Sequence, residues 1–228
     1  MRNYINKFIF IFSALMLLSF LLHPALASEG TENNKLKTPC GSEVTTISKT
    51  EGSQEHLQKV TDDFIDQHSD VTIIGNSSEL YNCFGYSFHM YPENKMDEKM
   101  NFDDISPYIT DGSYKLYKEI RAVDIKNSTS KDDYLNELYN NASSGGVWIL
   151  VYFNERPLHA AVVTNRYNVF KAKLGNGPLV EHGLEFKDYY NITAYFKLYK
   201  KSDACPLKDE PPALSPPQNL VIVAQSSS

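Results

Sequence analysis

Hydrophobic residues are spread unevenly along this chain. A nearly continuous apolar run spans Phe8 to Leu22, with Arg2 and Lys7 before it and Pro24, Ala25 and Ala27 after it. A charged start, an apolar stretch and a small-x-small site are the three parts of a secretory signal peptide, here residues 1–27. The run is about as long as the shorter membrane-spanning helices, so an uncleaved anchor is the alternative. Polar sequence begins at once at Ser28 and favours cleavage. No later stretch is long and apolar enough to cross a bilayer, so no stable membrane insertion is expected after the leader is removed.

Beyond the leader the periodicity changes several times. Residues 28–39 are polar and predict a structureless mature N-terminus. Between Gln54 and His68, Leu57, Val60, Phe64 and Ile65 recur at helical spacing behind Ser53, a good N-cap. Val71 to Ile74 is short and β-branched. In Tyr81 to Met90, Asn82 can cap a helix whose first residue is Cys83. Residues 92–113 carry turn formers and read as a long loop, and Asp132 to Asn140 reads as a further helix closed by Ser143 to Gly146. Strand-like runs follow at 147–153, 158–164, 167–174, 180–185 and 192–199. Helices first and antiparallel hairpins second make an α+β domain over residues 40–205. Five prolines in residues 206–228 predict a disordered tail.

Charge and cysteine content narrow the function. The chain holds 22 basic and 28 acidic residues; loss of Arg2 and Lys7 with the leader leaves 20 against 28, a net charge of −8. Such an acidic protein is a poor partner for nucleic acid or anionic lipid. In an oxidising compartment an odd number of cysteines leaves one thiol over or makes an intermolecular bridge. Cys40 and Cys205 stand at the two edges of the domain, so a bridge between them would tie its ends together and leave Cys83 free. Pairing of Cys83 with either of the others is the alternative, in which all three cysteines are structural.

A thiol at the first position of a capped helix has one device for thiolate formation already in place, the positive end of the helix. Its own N–H is free of the helical ladder and can face an oxyanion. Asn82 and Tyr81 flank this position, and Gly85 would let a substrate chain approach the first turn. A base is offered by His159, which opens a strand whose alternation puts His159, Ala161 and Val163 on one face. No phosphate loop, dinucleotide fingerprint or zinc-ligand spacing occurs, so neither cofactor nor metal is expected.

Several of these segments are similar to the NlpC-type and CHAP-type cell-wall hydrolases. The stretch Gly146 to Phe153 followed by Leu158 to Val163 resembles their strand, turn and histidine strand. Tyr81, Asn82 and Cys83 with Gly85, Tyr86 and Ser87 resemble the nucleophile segment of exported bacterial relatives. Asp111 to Tyr114 and Lys173 to Gly175 with His182 resemble further parts of the same group. The resemblance covers roughly residues 78–190 and implies a papain-like core, its nucleophile helix packed on an antiparallel sheet. It also implies hydrolysis of a peptide amide, commonly in peptidoglycan.

One departure from that pattern concerns the group that orients the histidine. The families carry it on the next strand, but here that strand offers Val169, Lys171 and Lys173 on one face and Phe170, Ala172 and Leu174 on the other. A lysine has no acceptor for an imidazole N–H. His182, with Asn176 and Glu181 behind it, is the candidate third member, and a capping or exposed histidine is its plainer role. His89, His56 and His68 have no catalytic or metal-ligand spacing. The expectation is therefore an exported cysteine amidase or peptidase acting through a Cys83 thiolate and a His159 base on a peptide or peptidoglycan substrate. The alternative is a catalytically silent, secreted binding or toxin-like domain on the same fold.

Overall fold

The computed structural model describes residues 35–126 and 128–206. The expected leader at 1–27, residues 28–34 and the tail from 207 lie outside that range. β1 (Lys35–Lys37) pairs antiparallel with β2 (Glu43–Thr45), and α1 (Gln54–Gln67) follows. Ser53 caps α1 by accepting the His56 N–H at 3.2 Å. The expectation of a structureless segment up to residue 39 is corrected at Lys35–Lys37, whose backbone is satisfied by β2.

A seven-stranded antiparallel sheet forms the middle of the molecule. It contains β3 (Thr72–Gly75), β4 (Tyr114–Arg121), β5 (Trp148–Phe153), β6 (Pro157–Val163), β7 (Phe170–Lys173), β8 (Leu179–His182) and β9 (Tyr195–Lys201) in the order β3-β8-β7-β6-β5-β9-β4. Chain order and sheet order differ because β9 inserts between β5 and β4. The hairpins β5–β6, β6–β7 and β7–β8 are sequential neighbours, as short turns require.

Both faces of the sheet are covered. On one lies α4 (Ser128–Ser143), whose Tyr134, Leu135 and Leu138 pack with Trp148, Leu150, Tyr152, Ala161, Val163 and Phe196. On the other lie α2, π-wound over Gly85–Met90, and the short α3 (Ser106–Thr110); Phe84, Phe88 and Tyr108 pack there with Ile149, Val151 and Ala160. Burial on both sides explains why β5 reads as a continuous apolar run with no alternation. The described residues thus form a mixed α+β fold, with few helices around the seven-stranded antiparallel sheet.

Three segments differ from the pattern-based expectation. The long loop at 92–113 contains α3, and α4 is longer than Asp132–Asn140. β4 was invisible to the hydropathy pattern because it is an edge strand with most of its side chains in solvent. The two edges of the domain meet in a disulfide between Cys40 and Cys205, with Cα atoms 5.3 Å apart, and Cys83 is the free thiol.

Candidate functional site

Asn82 stands directly before the helix that carries Cys83. Its side-chain oxygen accepts the Gly85 N–H at 3.0 Å and its carbonyl accepts the Tyr86 N–H at 2.9 Å, so Cys83 is the first helical residue. Ser87, one turn on, donates to the Ala160 carbonyl at 3.1 Å and fastens the helix to β6. The thiol is only 6% exposed. Burial pushes it up to about 11, although the N–H groups of Ala160, Phe84 and Cys83 favour the thiolate. Desolvation outweighs the helix terminus, and the sulfur is protonated at neutral pH.

His159 lies on the other side of the same strand. Alternation along β6 sends Ala160 and Val162 toward Cys83, Tyr81 and Tyr86, and sends Ala161 and Val163 toward α4. His159 goes with the second set. It sits opposite Tyr152 on β5 and stacks on Tyr189, with ring centroids 4.3 Å apart. The expected pairing of His159 with the Cys83 thiol is absent from this arrangement, because the sheet itself stands between the two side chains. His159 is fully buried with no hydrogen-bond partner at either ring nitrogen, and desolvation drives its pKa well below the usual imidazole value.

His182 joins His159 rather than Cys83. Their ring centroids are 5.5 Å apart, and His182 also packs on Phe170, Tyr152 and Phe186. Its Nδ1 is 2.7 Å from the Gly183 carbonyl, which makes Nδ1–H the donor, and Nε2 is unpartnered. Burial lowers its pKa to about 4. Glu181 does not support it as a third catalytic member, because it pairs with Arg166 and Lys171 on the opposite face of β8; the backbone carbonyl of Asn176 accepts the Ser78 N–H.

Two ionisable groups approach the thiol face: Asp103, whose charge disfavours the thiolate, and Lys173, which was considered from sequence only as a group unable to hold an imidazole. Its side chain is fully buried; Nζ donates to the carbonyls of Ser78, at 2.8 Å, and Gly175, and lies 4.9 Å from the Tyr81 ring centroid. Desolvation lowers its pKa to about 7, partly opposed by Cys83 and Glu51. Lys173 thus ties β7 to the segment that leads into Cys83. Sequence offered no signal that separates it from Lys171 on the same face of the strand.

Gly85 also has a different part from the one expected of it. A β-carbon there would lie 1.7 Å from the Met100 carbonyl oxygen. The space beside the first turn is filled by the chain itself, since Asn82 Nδ2 further donates to the Phe102 carbonyl at 2.8 Å and to Asp103 at 3.2 Å.

Two clefts flank this region. One of about 280 Å³ is polar, with Glu51, Gln54, Gln58, Asn76, Ser78 and Tyr81 among its walls. The other, about 300 Å³, lies between Phe84, Asp103, Arg156, Pro157 and Leu158 at the tip of the Cys83 helix. Among the described residues no cluster of three His, Cys, Asp or Glu could hold a metal, and no helix is long and apolar enough to cross a membrane. No protein-family model, no curated protein and no solved structure matches this chain.

Proposed function

We propose that the chain is an exported binding domain, closed by the Cys40–Cys205 disulfide, in which Cys83 is a buried, protonated thiol rather than a nucleophile. The observation that carries this reading is the disposition of Cys83 and His159 on opposite faces of β6. Turning His159 toward the thiol would take a one-residue slip of the strand, which would also expel Ala161 and Val163 from their side of the core. An uncharged thiol, without an imidazole beside it, is a poor nucleophile.

The polar cleft bounded by Glu51, Gln54, Gln58 and Ser78 is the binding surface in this reading. Amides, hydroxyls and a carboxylate complement the backbone of a peptide or a fragment of peptidoglycan, and the acidic net charge of the chain disfavours nucleic acid. The disulfide fits export to an oxidising compartment.

A second reading keeps a papain-like cysteine amidase or peptidase. It is favoured by the place of Cys83 at the start of a capped helix, its sulfur faced by three backbone N–H groups. Incubation with peptidoglycan, followed by mass spectrometry and a binding assay, separates the two. Retention of intact muropeptides without new cleavage products supports the binding domain. Cleavage that disappears in Cys83→Ala establishes the hydrolase.

A further inference from the structure

The histidines that the thiol does not use have an unusual environment of their own. His159 and His182 come from β6 and β8, lie side by side, and are shut in by Tyr152 from β5, Phe170 from β7, and Phe186 and Tyr189 from the connection between β8 and β9. Among the described residues three of their four ring nitrogens have no partner, and the fourth meets a carbonyl. A buried polar atom without a partner is already costly, and an added proton would bring a further unpaired donor together with a charge.

Among the described side chains few groups balance that charge. From the side of α1, His68 stacks on Phe64 and lies 5.3 Å from the Phe186 ring. Asp70, exposed in the turn before β3, is the carboxylate that acts on His182, and it does so less than the Gly183 carbonyl. On His159 the neighbouring charge is that of His182, which opposes protonation. On β8 Glu181 points to the other face, where Arg166 and Lys171 hold it. Tyr152 contributes its ring, because its hydroxyl donates to the Leu184 carbonyl at 3.0 Å. Stacking on Tyr189 gives a cation some compensation, but two adjacent imidazoliums would repel across 5.5 Å.

The geometry points to an acid-operated latch: the connection 183–194, held shut by Phe186 and Tyr189 over two neutral imidazoles, opens when His159 and His182 take up protons. The proton goes to a ring nitrogen that becomes reachable by water only on opening, so opening and protonation occur together. No bond is made or broken. The central β5–β6 hairpin stays in place, since both strands bury their own contacts on both faces of the sheet.

Hydrogen exchange followed by mass spectrometry on the whole protein between pH 7.5 and 4 tests the latch. Protection of residues 183–194, corrected for the intrinsic pH dependence of exchange, should be flat above pH 6.5. Below it, protection should fall about tenfold per pH unit for each histidine that protonates, while β5 stays protected. The double variant His159→Gln/His182→Gln should remove this acid step. Uniform protection of 183–194 down to global unfolding, or an acid step that survives in the double variant, would overturn the proposal. If the variant does not fold, imidazole NMR of the wild type decides: rings that titrate near 6.5 with 183–194 still protected would also overturn it.

Discussion

The backbone of Gly85 and the carbonyl of Met100 are in such close apposition that a β-carbon on Gly85 would be 1.7 Å from the oxygen. The neighbour is backbone, pinned nearby by the bonds from Asn82 to Phe102 and from Ile47 to Asn101. It cannot rotate away as a side chain would. Gly85→Ala should therefore destabilise the fold by roughly 3 kcal/mol, the cost of forcing extra volume into a packed site. Urea denaturation measures this, and a change within about 0.5 kcal/mol would mean that the segment around Met100 gives way freely.

The buried thiol gives a prediction about reactivity. Iodoacetamide should alkylate native Cys83 slowly from pH 6 to 8 and quickly once the protein is unfolded, because burial holds the thiol near 11. His159→Ala should leave the alkylation profile unmoved, since the ring is on the other side of β6. The same variant should still lose roughly 2–4 kcal/mol of stability through the void left beside Tyr152 and Tyr189. An alkylation profile displaced upward in His159→Ala would restore the cysteine–histidine pair.

Lys173 makes stability depend on pH in a second window. Its folded pKa, about 7, is below the ordinary lysine value of 10.5. Between those two values the unfolded chain holds a proton that the folded chain has released, so stability rises with pH. The expected slope is about 1.4 kcal/mol per pH unit, best read from pH 7 to 8.5. Above that, Cys83, whose thiol burial pushes up to about 11, ionises more readily in the unfolded chain and cancels the slope, and the buried tyrosines Tyr114 and Tyr152, whose pKa values are raised by desolvation, then reverse it. Lys173→Met should flatten the window; a slope that persists in the variant would assign it to another group.

On the acid side the sign is the opposite of a salt-bridged histidine. The folded pKa of His182 is lowered to about 4 from 6.5, so its cost is absent above 6.5 and grows as pH falls toward 4. His182 alone should remove about 3 kcal/mol over that range, with His159 adding to it. Equilibrium urea titrations at pH 7, 5.5 and 4 measure the loss. Unchanged midpoints across the three would contradict the neutral burial of both rings.

The disulfide joins residues 165 apart in sequence. Constraint of so long a loop in the unfolded chain stabilises the fold by about 4–5 kcal/mol in the loop-entropy model. Cys40→Ser with Cys205→Ser should lower the thermal midpoint accordingly, while Cys83→Ser, which bridges nothing, should not reproduce that loss. Equal effects of the two variants would deny the bridge its role.

Much of this molecule was legible in the chain. The Ser53 and Asn82 caps and the apolar runs that became β5 and β6 are local features, set by side-chain chemistry within a few residues, and the Cys40–Cys205 bridge followed from an odd cysteine count with two members at the edges of the domain. The edge strand β4 was not legible, because its pattern mixes apolar and charged side chains that are mostly in solvent. Nor was the role of Gly85, which depends on a segment fifteen residues away that carries no sequence signal for the approach.

The choice between catalytic pair and separated residues lay beyond the sequence for a definite reason. Alternation determines that His159, Ala161 and Val163 share one face of β6 and that Ala160 and Val162 share the other. It does not say on which face the Cys83 helix will pack. Because α4 covers one side and α2 the other, both sides of β5 and β6 are equally apolar, and hydrophobicity cannot distinguish them. Only the tertiary structure settles that Phe84, Phe88 and the thiol lie against Ala160, leaving the two histidines to a closed aromatic chamber on the far side of the sheet.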